Sequence, residues 1–227
     1  MSRAARLRRA LPAALGLCAA LLAVLPAAAA GPTQIAAQAG RLSPDEVAAL
    51  TRVERYLNDI KTMQARFVQV SSNGAYAEGE VYLDRPGQMR FDYDPPTPVL
   101  IIANGLSLLY YDKELKQATF LPLWETPLWF LIREEVRFDD NVDILGIEEA
   151  LGTLRMTLRD PEAPDGGEVT LVFSDEPLAL RKWELVDPQG IATQVSLVNP
   201  VYGGRIDSDL FEYRDLEIYR GGRQPNQ

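Results

Sequence analysis

Acid side chains are the main groups in this sequence able to move a proton, because it contains no histidine and a single cysteine, Cys18. Histidine triads, zinc sites built from histidine and cysteine, Cys-X-X-Cys redox pairs and intramolecular disulfides all lack their atoms. A metal would have only oxygen ligands. Asp139-Asp140, Glu134-Glu135 and Glu148-Glu149 are the conspicuous acid pairs. Sequence neighbours point to opposite faces of a strand and diverge by about 100° on a helix, so none of these forms a facing catalytic dyad by itself. They read as solvated surface charge. Gly203-Gly204 and Gly221-Gly222 lack the strand, loop and helix of a phosphate cradle. No cofactor, metal or catalytic residue is implied.

Arg85 differs because of its phase. Alternation through Val81 and Leu83 assigns it to the apolar side of a strand, where a charge needs carbonyls or a carboxylate. A strand-end arginine turned to solvent by Pro86-Gly87 is the alternative reading. Leu123 to Ile132 is the densest cluster of aromatic and aliphatic residues after the N-terminal region, and reads either as core or as a helix covering a hollow.

The elements that would position these groups follow from the periodicity. Ser43 with Glu46 is a capping box, and Val47, Leu50, Val53, Leu57 and Ile60 recur at spacings of three and four, predicting a helix from Ser43 to about Asn58. From Thr62 the period is two. Met63, Ala65 and Phe67, then Val81 and Leu83, then Met89, Phe91 and Tyr93 each share a face. Further strands are expected at 99–103, 106–111, 117–121, 154–159, 168–173, 180–186 and 192–198. Asn73-Gly74, Asn104-Gly105, Asp165-Gly166-Gly167 and Asp187-Pro188-Gln189-Gly190 supply the turns. Closely spaced strands joined by tight turns make an antiparallel meander that curls into a barrel or sandwich. Thr126-Pro127 suits a helix start, and Ile144 to Leu151 is a second short helical candidate.

Residues 1–30 read as an export signal. Arg3, Arg6, Arg8 and Arg9 form a basic head, Leu11 to Leu25 an apolar run, and Ala27 to Ala30 a small-residue cleavage region. A membrane anchor would need roughly 20 apolar residues without that small-residue end. Lipid modification of Cys18 is disfavoured by Leu17 before it and by the apolar run continuing past it. The remaining divisions are a linker at 31–42, one domain at 43–220 and a tail at 221–227. The whole chain, 227 residues with 47% hydrophobic, has 23 basic and 32 acidic residues and a net charge of -9, enough apolar content for a core. Removing residues 1–30 takes four arginines and no acid, leaving 19 basic residues against 32 acidic, or -13. Such a surface repels nucleic acid and anionic headgroups, so lipid contact must come through apolar surface.

Met63-x-Ala65-x-Phe67-x-Gln69, Gly79-x-Val81-x-Leu83-x-Arg85-Pro86-Gly87-x-Met89-Arg90-Phe91-x-Tyr93-x-x-Pro96, Leu100-Ile101-Ile102-x-x-Gly105 and Tyr110-x-Asp112 resemble the periplasmic carriers of outer-membrane lipoproteins in Gram-negative bacteria. The resemblance implies a mainly β fold with a few short helices, an incomplete antiparallel barrel of about eleven strands with a helical lid over a hydrophobic cavity. It implies a monomeric periplasmic chaperone. The chaperone takes lipoproteins from an inner-membrane ABC transporter to an outer-membrane acceptor, where one exists, and holds their acyl chains. Arg85 matches the family arginine that bonds across to the lid. Met89 departs from relatives that carry a transporter-docking aromatic there. The lining expected is Met63, Phe67, Val81, Leu83, Met89, Phe91, Leu100, Ile102, Trp124, Leu128 and Trp129, with Arg85 as latch. Other readings stay open at this point: an envelope sensor or an outer-membrane acceptor of the same fold, and a periplasmic hydrolase using converging carboxylates.

Overall fold

A computed structural model describes residues 42–123, 129–138 and 142–213. The export signal, nearly all of the 31–42 linker, the 221–227 tail, the Thr126-Pro127 helix start and Asp139-Asp140 lie outside the described residues. So do Trp124 and Leu128.

Helix α1 spans Pro44–Asp59 and begins as the capping box requires: Glu46 N–H donates to Ser43 Oγ, and Ser43 N–H donates back to Glu46 Oε2. Ala49, Val53 and Leu57, four residues apart, form its buried stripe. Eleven strands follow: β1 (Thr62–Ser71), β2 (Tyr76–Asp84), β3 (Gln88–Tyr93), β4 (Val99–Asn104), β5 (Ser107–Asp112), β6 (Gln117–Pro122), β7 (Asp143–Ala150), β8 (Thr153–Arg159), β9 (Glu168–Ser174), β10 (Ala179–Val186) and β11 (Ala192–Tyr202).

All pairings are antiparallel, in the order β6-β5-β4-β3-β2-β1-β11-β10-β9-β8-β7. Every neighbour is consecutive in sequence except β1 and β11, which join two meanders in the middle of the sheet. The sheet stays open, with β6 and β7 at its two edges. Because these edge strands follow each other in the chain, the segment between them must travel from one edge of the sheet to the other.

Side-chain contacts show that the sheet curls. Phe91 on β3 and Trp183 on β10 are four strand spacings apart, about 19 Å on a flat sheet at 4.8 Å per strand. Their ring centroids are 6.2 Å apart, edge to face. The concave face carries the main core, which α1 helps to cover.

The 144–151 segment is a correction: it is strand β7 with a turn after it, not a helix. A bulge between Ile144 and Gly146 brings Ile144 opposite Leu158 and Ile147 opposite Met156. Two apolar residues three apart therefore share the inner face, which imitates a helical period. Between the edges, the described part of the crossing segment includes a 3-10 turn, Trp129–Ile132, followed by bends at 133–135 and irregular chain to Phe138. Among the described residues no helix is long and apolar enough to cross a membrane.

Candidate functional site

Strand alternation gathers apolar side chains from distant parts of the chain around one hollow. Met63 comes from β1, Val81 and Leu83 from β2, and Met89 and Phe91 from β3. Leu180 and Trp183 approach from β10, Leu57 from α1, and Leu131 and Ile132 from the crossing segment. Among the described residues no carboxylate lines it, and Arg85 is the one charged group in its wall. The hollow has a cavity volume of ≈ 50 Å³ and is open to solvent at its mouth. At about 10–15 Å³ per water, that is room for a few waters, so a larger ligand must displace the cover.

Phe67 lies on the same inner face of β1 as Met63 but outside this wall, packed against its member Phe91. It is fully buried, and its ring meets those of Phe91 and Tyr93 edge to face at 5.1 and 5.0 Å. Gly79 lies opposite Phe67 on β2. A Cβ there would stand 2.9 Å from Phe67 Cε1 and 2.1 Å from the Asp92 carbonyl oxygen.

Arg85 follows β2 and points as the alternation requires. Its Nη1 donates to the Leu57 carbonyl at 2.7 Å, in the last turn of α1, where helix carbonyls lack partners of their own. Its Nε is buried with no hydrogen-bond partner among the described residues. Burial pushes the guanidinium down to about 10, which leaves it charged at neutral pH. Two residues on, Gly87 N–H donates to the Ile132 carbonyl at 2.6 Å. Gly87 has φ +80°, and a Cβ on it would stand 2.6 Å from Gly105 Cα, so this turn demands glycine. One turn thus holds both pieces of the cover.

The cover is also tied to itself and to the far side of the sheet. Asn58 exchanges two hydrogen bonds with Val136, and Phe138 N–H donates to Glu54 Oε1 at 2.8 Å. Leu180 N–H donates to the Tyr56 hydroxyl at 3.0 Å, and Arg52 pairs with Asp175.

Leu100 and Ile102 are a correction to the expected lining. They lie on the opposite face of the sheet, packed with Leu109, Tyr111 and Phe211 in a separate cluster. Register gives the reason. Ile102 pairs with Arg90 and Leu100 with Asp92, both outward residues, whereas Ile101 pairs with inward Phe91 and Ala103 with Met89. Trp124 and Leu128 lie outside the described residues, and Trp129 falls in the 3-10 turn. Leu180, Trp183, Leu57, Leu131 and Ile132 were absent from the expected lining. Leu57 is legible in the helical stripe and Trp183 in strand alternation, but only the β1–β11 pairing brings β10 to this hollow.

An open, curled antiparallel sheet around an apolar hollow, with no carboxylate in its wall among the described residues and a tethered cover over it, is the half-barrel class. The family model described as "Outer membrane lipoprotein carrier protein LolA" matches residues 58–214. The chain belongs to that family. It is 29% identical over 185 residues to the outer-membrane lipoprotein carrier protein of Methylococcus capsulatus, covering 77% of this chain and 87% of that one. With the protein of the same description from Azotobacter vinelandii it shares 27% over 191 residues, 79% of this chain and 91% of the relative. Among solved structures, the LolA superfamily protein from Nitrosomonas europaea aligns with a TM-score of 0.42 at 11% identity, covering 72% of this chain and 97% of that one.

Proposed function

We propose that this chain is a periplasmic carrier that takes lipoproteins released from an inner-membrane ABC transporter to the outer membrane, holding their acyl chains between the sheet and its cover. One observation carries the reading: the only charged group in the described wall of an otherwise apolar hollow is bonded to the cover itself, through Leu57. Met63, Val81, Leu83, Met89, Phe91, Leu180 and Trp183 are the fixed wall, Phe67 packs beside it, and Leu57, Leu131 and Ile132 are the part that moves.

The physical need sets the design. An acyl chain of about 16 carbons gains roughly 0.8 kcal/mol per buried methylene, on the order of 12 kcal/mol if fully buried, so a free lipoprotein does not cross water. A carrier must recover much of that energy and still release the chain at the far membrane. A cover that packs the apolar stripe of α1 against the sheet and is tied by a few polar bonds meets both demands, because closing it competes with the ligand for the same space.

The test is isolation of the tagged chain from the periplasm of its own cells, with intact-mass analysis of what accompanies it. Recovery of triacylated proteins, lost on mild detergent treatment, supports the reading. Recovery of the chain without any acylated protein, under conditions where outer-membrane lipoproteins are being exported, contradicts it.

A further inference from the structure

Leu57 does two things at once: its side chain is part of the wall of the hollow and its carbonyl is the acceptor for Arg85. A ligand that enlarges the hollow by displacing Leu57 therefore takes that acceptor away from Arg85. Among the described residues no carboxylate stands in the wall to replace it, and Nε is already without a partner there. Arg90 and Arg159 also have a buried Nε without a partner, but each pairs with an acid on its own strand or the next, Asp92 and Asp143 respectively. Arg85 has no such pair among the described residues. A guanidinium left in apolar surroundings without an acceptor is strongly disfavoured, so an open cover is stable only if an oxygen arrives with the ligand.

We propose that Arg85 exchanges the Leu57 carbonyl for an oxygen of the ligand, so that the hollow selects acyl chains bearing an ester, amide or carboxylate oxygen over bare hydrocarbon. This rests on the acyl-carrier reading and adds a polar requirement to it. Chain length supplies the affinity, and the linkage oxygen keeps Arg85 satisfied while the cover is displaced. The acceptor is exchanged in place, so opening never passes through an unpaired buried charge.

The experiment is displacement of the neutral dye N-phenyl-1-naphthylamine from the purified chain by tetradecanoate, methyl tetradecanoate and tetradecane. The quantity read is each oxygenated ligand's affinity relative to tetradecane, in the native chain and in Arg85→Leu. Hydrogen bonds to a charged group are worth about 1.5–3 kcal/mol, so the ratio should fall about tenfold or more in Arg85→Leu. Arg85→Lys, which keeps the charge, should retain most of it. The fall should come mainly from tighter binding of tetradecane, which no longer strands a charge. An unchanged ratio in Arg85→Leu overturns the exchange while leaving the hollow standing. Failure of all three ligands to displace the dye overturns the exchange and the carrier reading together. Should Arg85→Leu not fold, the carbonyl stretch of bound methyl tetradecanoate in the native chain decides. A shift to lower frequency supports a hydrogen bond to the ester, and an unshifted band contradicts it.

Discussion

Asn58 in the last turn of α1 and Val136 in the crossing segment exchange two hydrogen bonds: Asn58 Nδ2 donates to the Val136 carbonyl at 2.9 Å, and Val136 N–H donates to Asn58 Oδ1 at 2.8 Å. One amide side chain thereby pairs both backbone polar groups of a buried residue, and the helix and the crossing segment are joined into a single cover. Asn58→Ala leaves both groups of Val136 unpaired and should destabilise the chain by about 1–3 kcal/mol. Hydrogen exchange should rise over 132–138 and the end of α1 more than in β1 and β2. A uniform rise across the sheet would show that the two segments are not joined in this way.

Arg85→Leu removes a charge from an apolar wall and a bond from the helix end. The two effects oppose, so the melting temperature should stay within a few degrees of the native value. Exchange of amides in the last turn of α1 should quicken by about tenfold, with the central strands unaffected. Equal protection in both proteins would rule out Arg85 as the latch.

Much of this arrangement is legible in the sequence, and the misses have physical causes. The capping box at Ser43 and Glu46, the stripe ending at Leu57 and the inward phase of Arg85 are local patterns, and local geometry realises them. The face of β4 was misread because Val99-Leu100-Ile101-Ile102-Ala103 is apolar on both sides. Its outer face is covered by Phe211, more than a hundred residues downstream, and no local alternation reports that. The bulge in β7 disguised a strand as a helix, since it places Ile144 and Ile147 on one face. Leu180 and Trp183 reach the hollow only through the joining of β1 to β11, a pairing of chain ends that periodicity does not encode.

Gly79 tests the register of the wall. With its Cβ position 2.1 Å from the Asp92 carbonyl oxygen, Gly79→Ala must push β3 away or displace Phe67. The expected loss is about 1–3 kcal/mol, read from the denaturation midpoint at unchanged slope. Native stability in this variant would mean that β2 and β3 are not registered as described.

Tyr93 gives the chain a pH signature. Burial raises its phenol to about 12, and burial also raises that of Tyr202. A raised tyrosine contributes stability that is complete below the ordinary value near 10 and is lost as pH climbs toward the folded value. Arg85 acts in the opposite sense: its folded value of about 10 is below the ordinary 12.5, so its contribution rises with pH between those values. Four raised tyrosines, Tyr76, Tyr82, Tyr93 and Tyr202, against one lowered arginine give a net loss of stability above pH 10. Tyr93→Phe should make that loss shallower while leaving the profile between pH 7 and 9 flat. An equally steep loss in Tyr93→Phe would assign the alkaline transition to other groups.

The central claim is that acyl chains occupy the concave side of this sheet, beneath the cover. It is tested most directly with a photoreactive benzoyl-phenylalanine in place of Phe91, on the inner face, or of Tyr82, on the outer face of the neighbouring strand. Irradiation of cells exporting lipoproteins should attach acyl chains at position 91 and not at 82. Equal labelling at the two positions, or labelling at 82 alone, would contradict a ligand held within the hollow.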